Sequence, residues 1–510
     1  WQEQSRIFLQ YLGAPRWELM EAFQVTAVPA DTSIAGEYWG MSTHETTIVI
    51  AANDNTDAKQ RIYWGINNPT IPAEMSVADF LSRSFLNYDE LLELLSVQWI
   101  NPMGDANNVV IERPDATCDT ELQKVVSLNA DRFDKMHRFL RLRRHVGWSM
   151  WEIDLLIRSA AVGNGSVDET CLVRMMAFAQ LQKRLGLPVD RTLVLFGDIN
   201  TEARVKPYQP TQPIPSLYED IFQNLAVLNP VDAAFRLPIA AETRIADADP
   251  NRDHRRTILA AFALTAADLE RLLPKLPNND LSLANLSRIG RYAWLAKGLG
   301  ISVKNLLTLE GLSGVADIFA TPKVTLDFIK SVDWVSKSTF TVEELDYLLR
   351  VNPNSALGLR EDVVTQYIEA LRQAQRADRA NNRAGVIASQ VATSFGIAAD
   401  QAQLLLEQTK LGANTFTQVL QYPNLVAQDG AGKFTNDVTL TNFPDIYAVY
   451  RLLHKATLAV LGFKLDALNL EWLLANALTF SLLPPNALPV AIAPGAPLFP
   501  SWLKLAKWMH

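Results

Sequence analysis

The chain has 510 residues, 48% hydrophobic and 20% charged, with a mean hydropathy of +0.02, a formal net charge of −8 and a pI near 5.4. One hydrophobic core rarely organises more than roughly 250–300 residues, so two to four lobes are expected, and the composition excludes a mainly disordered chain. The acidic balance argues against nucleic acid as a partner, because duplex binders neutralise phosphates with surplus Lys and Arg.

In chain order, one unit keeps returning. It is an amphipathic run, a turn that is often a single Gly, one apolar residue, then Ser, Thr or Pro, and a second short run ending in paired leucines. The first versions are "FLQYLGAPRWELMEAF" from Phe8, "AGEYWGMSTHE" from Ala35 and "DFLSRSFLNYDELLELL" from Asp79. Residues 102–120 break the pattern, and the β-branched "NVVIERPDATC" predicts a small hairpin inserted between helices.

Four fuller versions follow. They are "FDKMHRFLRLRRHVGWSMWEIDLLI" (Phe133–Ile157), "LVRMMAFAQLQKRLGLPVDRTLVLF" (Leu172–Phe196), "LANLSRIGRYAWLAKGLGISVKNLLTL" (Leu283–Leu309) and "TLDFIKSVDWVSKSTFTVEELDYLLR" (Thr325–Arg350). Between them, residues 201–215 read as a proline-containing linker and 240–251 as a polar excursion. Further versions start at Ile258, Val391 and Tyr450, and "NLVAQDGAGKFTNDVTLTNFP" at 424–444 reads as an irregular or β-containing excursion.

Each position in the unit has a physical role. Gly147, Gly186, Gly300, Gly396 and Gly462 are placed to end a helix in the left-handed conformation. Ser149, Ser302 and Thr341 can cap the next helix, and Pro188 suits its first turn. Glu152 and Glu344 follow Ser149 and Thr341 at capping-box spacing, with Trp148, Leu187, Ile301 and Phe340 as staples. Leu345, Leu348 and Leu349 share one helix face, as do Met136, Phe139, Leu140 and Leu142, and Trp151 is expected in the core beside them.

A hairpin of this size cannot bury both apolar faces alone, so it must stack on its neighbours. The predicted fold is therefore all-α, an irregular multi-lobed array of helical hairpins with small β or irregular insertions. The expected lobes are 1–200 with an insertion near 102–120, 216–350 after the 201–215 linker, and 351–510 with the 424–444 excursion.

No catalytic, cofactor or metal site emerges from the motifs. His44-Glu45 opens like HExxH, but Ile48 stands where the second His must be. The run His137, Arg138, Arg141, Arg143, Arg144, His145 could hold an anion, or its arginines could pair with nearby carboxylates such as Glu152 and Asp154 or simply be solvated. Gly430-Ala-Gly432-Lys433 lacks the first glycine of a phosphate loop (Ala427) and its Ser or Thr (Phe434). "GNGSV" from Gly163 and "GLSGV" from Gly311 miss the GxSxG spacing. Trp148, Trp151, Trp294, Trp334 and Trp472 lie near the turns, where hairpin packing is favoured over sugar stacking.

Cys118 and Cys171 are too few for a disulfide framework and read as isolated buried thiols. No stretch can span a membrane, since Leu482–Trp502 is interrupted by six prolines and is expected as an extended surface segment. Trp1 in place of Met makes a mature or excised piece of something longer the expectation.

Together, "RFDKMHRFLRLRRHVGWSMWEIDLLI", "LQKRLGLPVDRTLVLFGDI", "IPSLYEDIFQN", "LSLANLSRIGRYAWLAKGLGISVKNLL" and "TLDFIKSVDWVSKSTFTVEELDYLLR" resemble the α-helical shell region of Tc toxin A components. "YLGAPRWELMEAF", "AGEYWGMSTHE" and "LNYDELLELLSVQWINP" resemble the segments preceding them, so the likeness runs in order over residues 1 to about 350. It returns in "IYAVYRLLHKATLAVLGFKLDALNLEWLLA". The resemblance implies a secreted bacterial toxin whose A component forms a homopentamer, with a helical shell around a translocation channel and receptor-binding domains in or near the shell. Implied partners are other regions of the same A component, the B–C components that deliver the toxic enzyme, and a host-surface receptor or glycan. The alternative is a stand-alone helical module that binds a host glycan or protein.

Overall fold

The computed structural model describes residues 2–510 except 52–53, 114–118, 227, 353–354, 379 and 491–496. Among the described residues there are twenty-five α-helices and three small β ribbons or sheets, a mostly-α fold with small β insertions. Cys118 lies outside the described residues.

The local signals act as their chemistry requires. Ser149 and Glu152 form a capping box at the start of Met150–Arg158, and Thr341 and Glu344 form one at Val342–Leu349. Asn87 with Glu90, Ser216 with Glu219 and Thr265 with Asp268 repeat the device. Gly186, Gly300 and Gly396 end their helices at φ +64°, +68° and +67°.

Two glycines behave differently. Gly147 lies outside the left-handed region, because Val146 ends its helix in extended geometry. Gly462 is the last residue of the helix Pro444–Gly462, and the left-handed residue is Lys464 at φ +53°. What position 462 requires is close approach: a Cβ there would stand 2.5 Å from Cε1 and 2.9 Å from Cε2 of Phe340.

The chain divides into two compact units, one of Trp1–Val303 with Asp317–Asp327, the other of Lys304–Ala316 with Phe328–His510. In the first, the helix Ala130–His145 packs on Thr43–Ile50 and Asp57–Trp64, and Glu169–Leu185 packs on Asp31–Tyr38 and Leu283–Leu299. Phe80, Phe133, Met136, Phe139, Leu142, Ile153 and Phe178 are fully buried between them. Residues 201–215, expected as a linker, lie inside this unit, where Arg204–Val205 pairs antiparallel with Pro213–Ile214. The flanking segments are tied together. The Ile199 N–H donates to Ser287 Oγ (2.9 Å), and Arg291 donates to the carbonyls of Val194 (2.9 Å) and Gly197 (3.0 Å).

The hairpin expected within 102–120 is a wider structure. Val110–Glu112 pairs with Lys124–Val126, which also pairs with Glu74–Ser76, so the sheet joins three separated segments.

In the second unit the helix Pro444–Gly462 packs on Val342–Leu349 and Glu361–Ala377. Leu345, Leu348, Ile368, Leu371, Tyr447, Tyr450 and Leu453 fill its core, which places the leucine stripe of Val342–Leu349 where periodicity puts it. The stretch 482–502 departs from an extended surface segment. Leu482, Leu483 and Leu488 are buried, and Phe499 and Trp502 enter the core from the helix Phe499–Met509.

Candidate functional site

Most charges of the arginine-rich helix Ala130–His145 have partners, while Arg144 is exposed. Arg138, buried, donates to the Val49 carbonyl (2.8 Å), the Val167 carbonyl and Asp134 (3.3 Å). Arg132 binds the Ile100 carbonyl and Asp105 (2.6 Å). Arg143 pairs with Glu90 (2.7 Å), and His145 holds Glu45 (3.2 Å) and the Trp39 carbonyl (3.0 Å). The pairing partners are Asp134, Asp105, Glu90 and Glu45 rather than Glu152 and Asp154. Glu152 serves its own cap, and Asp154 accepts from Arg158 (3.0 Å) and the Trp99 N–H (2.9 Å). These arginines tie backbone segments together.

His137 stacks on Tyr63 (4.5 Å between ring centroids), and its Nε2 accepts from Arg141 Nε (2.8 Å). Burial, then Arg141 and Arg144, push its imidazolium down to about 4, so it is neutral at physiological pH.

His44 is exposed in the first turn of Thr43–Ile50, while Ile48 is buried. In the Gly430–Lys433 turn the Asp429 carboxylate accepts the N–H groups of Ala431 (3.0 Å) and Lys433 (2.9 Å). A phosphate would need those donors, so the turn already carries its own anion. Phe434 lies under Arg372, whose Nε donates to the Leu425 carbonyl (2.7 Å). Gly163 follows the helix Met150–Arg158, where a Cβ would come within 2.7 Å of the Ile157 Cα. Burial pushes the Cys171 thiol up to about 12, an inert thiol at physiological pH.

A cavity of about 180 Å³ opens beside the 204–214 ribbon, lined by Glu93, Trp151, Asp154, Arg158, Glu202 and Arg204. Trp151 is therefore half-buried rather than core, and its ring is roofed by the Arg204 guanidinium at 4.2 Å. Trp148 fills a hairpin junction, edge-on to Trp39 and Phe178, with its Nε1 on Gln182 (2.8 Å). Trp294 is buried, whereas Trp334 and Trp472 are half-buried, the latter stacked on Trp508 (4.7 Å).

Sequence reasoning missed the exposed apolar faces. In the first unit Ile7, Phe8, Tyr11 and Leu12 project from the segment around Gln2–Tyr11, with Phe23, Val25 and Val28 exposed on the following segment; Tyr11 is 88% exposed. In the second, Leu461, Leu468, Leu478, Phe480 and Trp508 are exposed. The pattern of "FLQYLGAP" was legible as a helical stripe, but nothing local states whether a stripe is covered.

No family model matches the sequence, and no curated protein matches it. Solved structures match in fold. The cryo-EM structure of Morganella morganii TcdA4 aligns with a TM-score of 0.53 at 16% identity, over 72% of this chain and 16% of that one. The cryo-EM structure of Yersinia pseudotuberculosis TcaA-TcaB aligns with a TM-score of 0.51 at 14% identity, over 95% of this chain and 23% of that one. This chain thus spans less than a quarter of the length of either. Both neighbours are Tc toxin A components, so the fold of this chain is that of part of such a component, in keeping with the resemblance carried by its helical runs.

Proposed function

We propose that the chain is a non-catalytic shell module of a Tc-type toxin A component, supporting a translocation channel and host-cell attachment. The carrying observation is the fold match to TcaA-TcaB over 95% of this chain and 23% of that one. The open apolar faces around Ile7–Leu12 and Leu461–Phe480 support the reading, since hairpin arrays bury such faces by stacking on further elements. The proposed partners are other regions of the same A component, its homopentameric copies, the B–C components and a host-surface receptor or glycan, in a secreted particle.

Hydrogen exchange tests this on two samples, the 510-residue chain and the full polypeptide encoded by its gene. Amides of Gln2–Tyr11 and Ala467–Asn476 should exchange faster in the isolated chain and be protected in the full polypeptide. Equal exchange in both would contradict the stacking role.

The second reading, a stand-alone module for a host glycan or protein, draws on the cavity beside Arg204. There Trp151 is covered by Arg204 and is not open as a stacking platform. Glycan-array binding that disappears on deleting residues 201–215 would favour it; no binding to any glycan or host cell would remove it.

A further inference from the structure

On the helix Pro444–Gly462, Arg451 and Lys455 lie one turn apart on the same face. Lys455 is only 4% exposed. Its Nζ donates to the Arg350 carbonyl (2.8 Å) and the Pro489 carbonyl (2.6 Å), and stands 4.9 Å from the Tyr347 ring centre. An ammonium has three donors, so one is left without an acceptor among the described residues.

The nearby Asp346 carboxylate is engaged elsewhere, by Arg350 Nε (2.6 Å) and Asn352 (2.9 Å). No carboxylate lies within 4.0 Å of Arg451 or Lys455 among the described residues. Burial lowers the Lys455 ammonium to about 8, which leaves it mostly charged at neutral pH.

Both cations border a cavity of about 260 Å³ whose remaining wall includes Tyr347, Val351, Leu359 and Pro489. Among the described residues, none that lines it is acidic. Two positive groups therefore border one small space with Asp346, bound by Arg350 and Asn352, as the nearby carboxylate that acts on Lys455 among the described residues, and burying a charge without a direct partner is unfavourable. The volume corresponds to about eight or nine waters at ~30 Å³ each. That is room for a compact organic molecule.

We propose that this cavity binds a small organic oxyanion, its carboxylate or phosphate held between Arg451 and Lys455 and its apolar body against Val351, Leu359 and Pro489. Arg451 supplies the planar fork that an oxyanion fits, and Lys455 supplies its unused N–H. The alternative role for Lys455, a tether joining the 350 and 489 carbonyls, requires no ligand.

Calorimetric titration of the 510-residue chain with benzoate, phenyl phosphate and inorganic phosphate, at matched ionic strength in chloride, separates the two. Saturable binding of benzoate or phenyl phosphate is expected, with phenyl phosphate at least tenfold tighter than inorganic phosphate. Arg451→Ala should keep the melting temperature of the unliganded protein, since Arg451 is only partly buried and makes no ion pair among the described residues, and should bind at least tenfold more weakly. Lys455→Met should lose binding as well, and Arg451→Ala keeps the test valid if that variant fails to fold. Absence of saturable heat with all three ligands, or undiminished binding by Arg451→Ala, overturns the proposal. Equal affinity for phenyl and inorganic phosphate overturns its apolar half.

Discussion

Gly462→Ala is a one-methyl perturbation with a large expected effect. The added Cβ would stand 2.5 Å from the Phe340 Cε1, against an optimal carbon–carbon separation of about 3.5 Å, so the ring must retreat by about 1 Å. It has nowhere to go. Phe340 is buried, with Phe463 at 4.8 Å and Trp502 edge-on at 5.9 Å between centroids. Overpacking of this kind costs about 1–3 kcal/mol, and the gain from replacing a helical Gly by Ala returns at most about 1 kcal/mol. A net loss of about 1–2 kcal/mol should lower the melting temperature by about 2–8 °C for a unit of this size. Urea unfolding followed by circular dichroism measures it, and Phe340→Leu should restore part of the loss in the double variant. Gly462→Asn discriminates between causes. A left-handed requirement would let Asn pass, whereas close approach penalises Asn at least as much as Ala. Stable Asn and Ala variants, or strictly additive double-variant energies, would refute the packing argument.

Leu348→Ala, at a fully buried position, should cost about 2–5 kcal/mol in the same unfolding assay, while Trp151→Ala should cost less, about 1–2 kcal/mol, because its ring is only half-buried and packs under Arg204 at the cavity wall. Ser149→Ala should cost about 0.5–2 kcal/mol through loss of the capping box, whereas Gly147→Ala, with nothing within 4 Å of its new Cβ, should stay within about 0.5 kcal/mol; the opposite order would show the turn to be misread. Folded His137 takes up a proton only near pH 4, against about 6.5 in the unfolded chain, so its contribution is full above about pH 6.5 and is lost as pH falls toward 4. His137→Phe keeps the stack on Tyr63 and should flatten the stability–pH slope by up to about 1.4 kcal/mol per pH unit in that window; an unchanged slope would place the titration elsewhere.

What the sequence made legible was local. Ser149 with Glu152 and Thr341 with Glu344 lie three residues apart, so the spacing alone states the hydrogen bonds. The stripe Leu345, Leu348, Leu349 is set by helical period and was readable for the same reason. Non-local partners were not. Arg138 finds the Val49 carbonyl 89 residues away, and no charge pattern announces an arginine whose acceptors are backbone oxygens. The strand Lys124–Val126 closes a hairpin with Val110–Glu112 and takes its second partner from Glu74–Ser76, about fifty residues earlier, so the hairpin read at 102–120 came out too small. Gly462 shows the same limit at one residue: its need for a missing side chain comes from Phe340, more than a hundred residues earlier. The proline-containing stretch 201–215 looked like a connector because its ties, from Tyr208 to Glu93 and from Arg204 to Trp151, are invisible in composition.

A cryo-EM reconstruction of the full polypeptide encoded by the gene bears most directly on the shell assignment. A pentamer is expected, in which these 510 residues fit as outer helical density surrounding a central channel, with Ile7, Phe8 and Tyr11 covered by neighbouring elements. A monomeric particle, or one in which these helices line the channel or stand apart with those side chains in solvent, would contradict it.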